Sequence, residues 1–305
     1  MGKIAFVFSG QGAQHPGMGR DLCENSSAAR RVFVQAEDIR PGTSRQCFEG
    51  TEEELRDTSN TQPCMFAVEM AAAAALNGEG VYADMAAGFS LGELAALTYA
   101  NAMDFGTGFR LVKRRGELMQ KASELYPTAM AAVLKLTNEQ VEALCAQFKQ
   151  VYPVNYNCPG QVSVSGAADE MAAFSAAVKE AGGRAIPLKV AGAFHSPFMK
   201  VAEEAFIEEM DGFPMRHPHI IVYSNYTAQP YGSNVAELLG KQLCHPVLWE
   251  QIIRNMIAEG VDTFLELGPG RTLCTLIGKI DNTVRTFPVS NMEELKTAVA
   301  EVQPC

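Results

Sequence analysis

Apolar residues come first as a short run and then at helical spacing. Lys3 to Ser9 is almost wholly apolar, ends in a glycine-rich loop and predicts a strand buried on both faces. Helices follow near Pro63 to Leu76 and over Glu93 to Ala100, with Ala83 to Ala87 ending a strand between them, and a longer helix covers Arg110 to Glu124. Strand and helix alternating in this way predict an α/β layer built on a parallel sheet.

The pattern changes after Tyr126-Pro127, because a residue before proline is biased away from helix. Ala129 to Leu136 reads as a strand, Asn138 to Phe148 as a helix, and Val151 to Asn157 and Gln161 to Gly166 as strands broken by Cys158-Pro159-Gly160. A helix over Ala168 to Ala181 and a strand over Ala185 to Val190 complete the order βαββαβ, that of a ferredoxin-like unit. Thr137 before Asn138-Glu139-Gln140 offers a capping box, and Gly182-Gly183 a helix stop. The pattern therefore places a subdomain at 128–190, inserted into a core made of 1–127 and 191–305. That core resumes with a helix opened by Ser196-Pro197, a strand over Ile220 to Ser224, a helix over Trp249 to Glu259 and a strand over Thr263 to Leu267.

Composition narrows the function. A chain of 305 residues, 47% hydrophobic and 20% charged, can bury a sizeable core. Its net charge of -10 lacks the basic footprint that nucleic-acid binding needs. No stretch reaches the roughly 18 apolar residues of a membrane span, and the N-terminal run is too short for a signal peptide, so a cytoplasmic location is expected. Eight cysteines show no Cys-x-x-Cys spacing, which predicts reduced thiols and neither a zinc site nor any other metal centre.

Three features carry chemistry. Gly88-Phe89-Ser90-Leu91-Gly92 matches Gly-x-Ser-x-Gly, the nucleophile elbow, in which small residues let the chain turn sharply from strand to helix and lift the serine hydroxyl clear. The alternative is a glycine-rich turn whose serine only caps. A serine hydroxyl needs a base. Of five histidines, His15, His217, His219 and His245 sit in polar, proline-flanked segments, whereas His195 directly precedes a helix with Ser196 as its cap and Pro197 as its first residue. The positive end of that helix would help keep the imidazole neutral; a structural histidine is the other reading. Arg115 lies in the middle of the apolar face formed by Leu111, Val112, Leu118, Met119 and Ala122. An inward guanidinium demands an anion, either an internal Asp or Glu or a carboxylate brought by a ligand.

With Phe8-Ser9-Gly10-Gln11-Gly12-Ala13-Gln14, Ser90-Leu91-Gly92-Glu93, Arg115-Gly116, Asn155-Tyr156-Asn157-Cys158-Pro159-Gly160-Gln161, Ala193-Phe194-His195-Ser196-Pro197, Gln242-Leu243 and Glu266-Leu267-Gly268-Pro269-Gly270, the chain resembles the malonyl-CoA:acyl-carrier-protein transacylases and related polyketide acyltransferases over nearly its whole length. The resemblance implies an α/β-hydrolase-like core with a ferredoxin-like subdomain. It implies Ser90 as the acylated nucleophile, His195 as its base, main-chain amides of Gln11 and Leu91 as the oxyanion hole, and Arg115 as the holder of the malonyl carboxylate. The main-chain carbonyl of Gln242 would orient His195 in place of a triad acid. Malonyl-CoA is then a substrate, phosphopantetheine arrives on an acidic acyl carrier protein docking near the cleft, no cofactor is bound, and a monomer serving fatty acid synthesis is expected. Lys189, Arg184 and Lys200 are candidate basic contacts for that partner, or simply solvated charges. A polyketide pathway, a serine esterase or thioesterase, and a non-catalytic carrier-protein binder are the rivals. Many relatives carry histidine where this chain has Phe89.

Overall fold

The computed structural model describes residues 2–188, 190 and 192–303, which leaves Lys189 outside. Among the described residues nine strands form two sheets. β1 (Lys3–Phe8), β2 (Met85–Gly88), β7 (Ile221–Tyr223), β8 (Val261–Leu267) and β9 (Arg285–Val289) make a parallel sheet in the order β7-β2-β1-β8-β9. The apolar run at the N terminus is thus the central strand, and Ala5 through Phe8 are fully buried because helices cover both faces.

The helix Thr58–Gly78 runs behind this sheet and is buried on nearly every side. Its alanines let neighbouring elements approach closely, so it reads as apolar all round rather than amphipathic. It starts five residues earlier than the proline-led reading at Pro63, since Asp57 caps it by accepting from the Ser59 amide at 2.8 Å. The helix Phe105–Ser123 packs on it; a side chain at Gly116 would press on the Thr58 carbonyl, so the small residue next to Arg115 sets how near that arginine comes to the centre.

β3 (Thr128–Leu134), β4 (Val151–Cys158), β5 (Gln161–Ala167) and β6 (Arg184–Pro187) form a wholly antiparallel sheet in the order β4-β5-β3-β6, with helices Asn138–Cys145 and Ala168–Glu180 on one face. That order and connectivity are ferredoxin-like. The capping box at Thr137 and Gln140 is formed. β4 is tied to the larger unit by a reciprocal pair of backbone bonds, Tyr156 N–H to the Val247 carbonyl and Val247 N–H to the Val154 carbonyl, both 2.9 Å. This seam fixes one wall of the cleft.

Candidate active site

The elbow follows from register. Phe8 pairs with Gly88, so both central strands end together and the chain must turn at Phe89 and Ser90 to enter the helix Gly92–Tyr99. Ser90 occupies the left-handed region at φ 55°, a strained conformation for a non-glycine residue. A side chain at Gly88 would collide with the backbone of Gly92 and Glu93, and one at Gly92 with the carbonyls of Phe8 and Ser9. Asn225, just after β7, clamps the turn: its Oδ1 accepts from the Ser90 amide at 2.7 Å and its Nδ2 donates to the Gly88 carbonyl at 2.7 Å.

Ser90 Oγ lies 2.7 Å from His195 Nε2, and His195 Nδ1 lies 2.8 Å from the main-chain oxygen of Gln242. A carbonyl can only accept, so Nδ1 carries the proton and Nε2 is left to accept from the serine hydroxyl. His195 is also in the left-handed region, at φ 59°, in a turn closed by the Ser196 hydroxyl donating to the Ala193 carbonyl at 2.6 Å. The expectation that Ser196 caps a helix is therefore corrected. The chain beyond Ser196 makes only a single 3-10 turn, Pro197–Met199, with Pro197 at its start, before it enters the helix Lys200–Met210. The neutrality of the imidazole has a different cause too: burial first, then the positive charge of Arg115, hold its pKa down to about 4. The other four histidines do not line the cavity.

Arg115 is 1% exposed. Its Nη1 donates to Gln62 Oε1 at 2.9 Å, and its Nη2 to Gln242 Oε1 at 2.6 Å and to Ser90 Oγ at 3.2 Å, while Nε has no partner. Among the described residues no Asp or Glu forms an ion pair with it. Two neutral amide oxygens hold the guanidinium in place without cancelling its charge, and burial lowers its pKa to about 10. A buried cation left in this state favours an incoming carboxylate.

Glu93, in the first turn of the helix Gly92–Tyr99, is fully buried and accepts from the Asn225 amide at 2.9 Å, from the Tyr231 hydroxyl at 2.6 Å and from Gln242 Nε2. Burial pushes its pKa up to about 7, against those three hydrogen bonds and the charge of Arg115. Gln62, Asn225, Tyr231 and the Gln242 side chain carried no signal along the sequence that would single them out.

A cavity of about 290 Å³ opens over Ser90, with Gln11, Leu91, Arg115 and His195 in its wall and Asn155 and Gln161 of the smaller sheet across from them. Phe89 also lines it, edge-on to Trp249 at 5.4 Å and tight against Gly10. The arrangement can deprotonate a serine for acyl transfer beside a seat for a carboxylate.

Comparison with known proteins agrees with this chemistry. The model of the acyl transferase domain matches residues 5–299. A Bacillus subtilis protein named malonyl CoA-acyl carrier protein transacylase is 38% identical over 98% of the chain and 97% of its own length. The chain belongs to the malonyl-CoA:acyl-carrier-protein transacylase family. Among solved family members, the transacylase from Clostridium perfringens superposes with a TM-score of 0.95 at 35% identity, covering 98% of this chain and 97% of that one. A malonyl-transacylase solved in complex with its type II PKS acyl-carrier protein gives 0.94 at 34% identity, covering 98% and 99%. No helix among the described residues is long and apolar enough to cross a membrane.

Proposed function

We propose that this enzyme transfers a malonyl group from malonyl-CoA to the phosphopantetheine thiol of acyl carrier protein, supplying fatty acid synthesis, through a malonyl ester on Ser90. The observation that carries the choice of acyl group is Arg115, buried beside the nucleophile with neutral partners only.

In the first half-reaction His195 Nε2 takes the Ser90 proton as Oγ attacks the thioester carbonyl. The negative charge that develops on the carbonyl oxygen is met by the main-chain amides of Gln11 and Leu91, both in the cavity wall. Collapse breaks the C–S bond, and the imidazolium returns its proton to the coenzyme A sulfur. The second half-reaction reverses these steps: His195 deprotonates the carrier-protein thiol, which attacks the malonyl ester and releases Ser90. The Gln242 carbonyl keeps His195 in the required tautomer throughout, so no triad acid is needed. Arg115 holds the free carboxylate of the acyl group in both halves, which supports delivery of the same cargo to a second thiol rather than to water.

The same reading includes a working division at 128–190 within a core of 1–127 and 191–305, a monomer in the cytoplasm, and a carrier protein whose acidic surface docks near the cleft without recourse to nucleic acid. Incubation with radiolabelled malonyl-CoA and then holo acyl carrier protein tests the function. Label must appear on Ser90 and move to the carrier; release as free malonate alone would convert the enzyme into a thioesterase.

A further inference from the structure

Gln242 touches the base, the arginine and the nucleophile's own backbone. Its carbonyl orients His195, its Oε1 accepts from Arg115 at 2.6 Å, and its Nε2 donates to the Ser90 carbonyl at 2.7 Å and to Glu93. An amide placed this way has only one good orientation. All three neighbours of its nitrogen, the Glu93 carboxylate, the Ser90 carbonyl and, at 3.5 Å, the Asn225 Oδ1, are acceptors, so the amide oxygen must face the guanidinium.

We propose that Glu93 is a positioning residue for acyl-group selection, acting through the Gln242 side chain to keep an acceptor against Arg115 and so hold the guanidinium where the substrate carboxylate meets it. The proposal rests on Arg115 being the carboxylate holder. Glu93 itself touches no substrate; its other partners, the Asn225 amide and the Tyr231 hydroxyl, are both donors to its Oε1.

That detail makes Glu93→Gln informative although it preserves shape. The two donors retain the amide oxygen of the new side chain, which turns its NH2 group toward the NH2 group of Gln242. Two donors then face each other, and the Gln242 side chain either withdraws from Glu93 or rotates its amide, which sets its oxygen against the Ser90 carbonyl and its NH2 against Arg115. In both cases the 2.6 Å contact that holds the guanidinium is disturbed.

Ser90 loading is measured by rapid quench with radiolabelled malonyl-CoA and acetyl-CoA, with circular dichroism confirming the fold of each variant. Glu93→Gln is expected to lower malonyl loading about 10- to 100-fold relative to acetyl loading. Gln242→Met keeps the main-chain carbonyl that orients His195 and should lower the same ratio. If Glu93 acts through Gln242, the double variant is no worse than Gln242→Met alone. A folded Glu93→Gln enzyme with an unchanged malonyl-to-acetyl ratio overturns the proposal, as does an additive double variant. Should Glu93→Gln fail to fold, the ratio in Gln242→Met decides: unchanged selectivity there also overturns it. Arg115→Ala, run in parallel, tests the carboxylate-holding role separately, because equal losses for both substrates in that variant would remove Arg115 from carboxylate recognition altogether.

Discussion

The two halves of the cleft are finished to different degrees. On the nucleophile side, Ser90, His195 and the Gln242 carbonyl form a closed chain of hydrogen bonds at 2.7 and 2.8 Å, ready before any substrate arrives. On the arginine side, two neutral amides steady a buried cation whose Nε has no partner. In the mechanism proposed above, the first half is preorganised for chemistry common to many acyl groups and the second is completed by the substrate's own carboxylate. On that proposal selectivity comes from leaving Arg115 without a paired carboxylate, since an internal Asp or Glu on it would satisfy the charge and remove the reason to prefer malonyl.

The contrast predicts graded losses. Ser90→Ala should abolish the acyl-enzyme seen by intact-protein mass spectrometry and lower turnover on the order of 10⁶-fold, with Ser90→Ala/His195→Ala no worse than Ser90→Ala alone, because the pair acts as a unit. Arg115→Ala should cut malonyl loading by about 10³ or more while acetyl loading suffers far less; equal losses would erase the distinction between the halves. Asn225→Ala acts chiefly on the elbow, since its one contact with the Gln242 side chain is long, at 3.5 Å. It frees the Ser90 amide and the Gly88 carbonyl, so thermal denaturation should show a loss of about 1–3 kcal/mol with the malonyl-to-acetyl ratio unmoved.

The smallest effect concerns pH. With its pKa held near 4, His195 stays a neutral base where a free imidazole would be protonated, so single-turnover loading from acetyl-CoA, which does not call on Arg115 and Glu93, should hold from neutrality down to about pH 5. An acid limb centred at 6.5 would show that burial does not govern the base. Stability carries the same sign. The unfolded chain binds this proton more readily, so the contribution of His195 is present above 6.5 and lost as pH falls toward 4. Glu93 runs oppositely: its raised value gives a contribution present below 4.5 and lost as pH rises through about 7. Melting temperatures of Glu93→Gln and wild type should therefore differ in pH slope between those limits.

Much of this was legible along the chain. β1 and the hairpin of β4 and β5 announced themselves by apolar runs and turn residues, and the capping box at Thr137 fell where expected. The helices Ser27–Ile39 and Met292–Val302 and the edge strand β9 were not read, for want of a motif to anchor them. Ser90 and Arg115 stood out because each violates a local rule, a strained serine between glycines and a charge on an apolar face. Gln62 and Gln242 violate none, and lie 53 and 127 residues from the arginine they hold.

Sequence by itself determined the elbow, the inward arginine and the βαββαβ order of the smaller unit, because backbone sterics and hydrophobic periodicity act over a few residues. Only the tertiary structure decided which groups surround that arginine, what keeps His195 neutral and where Glu93 points. Those outcomes depend on burial and on partners far apart in the chain, and the energy of a charge is set by everything within a few ångströms of it, whatever the sequence separation.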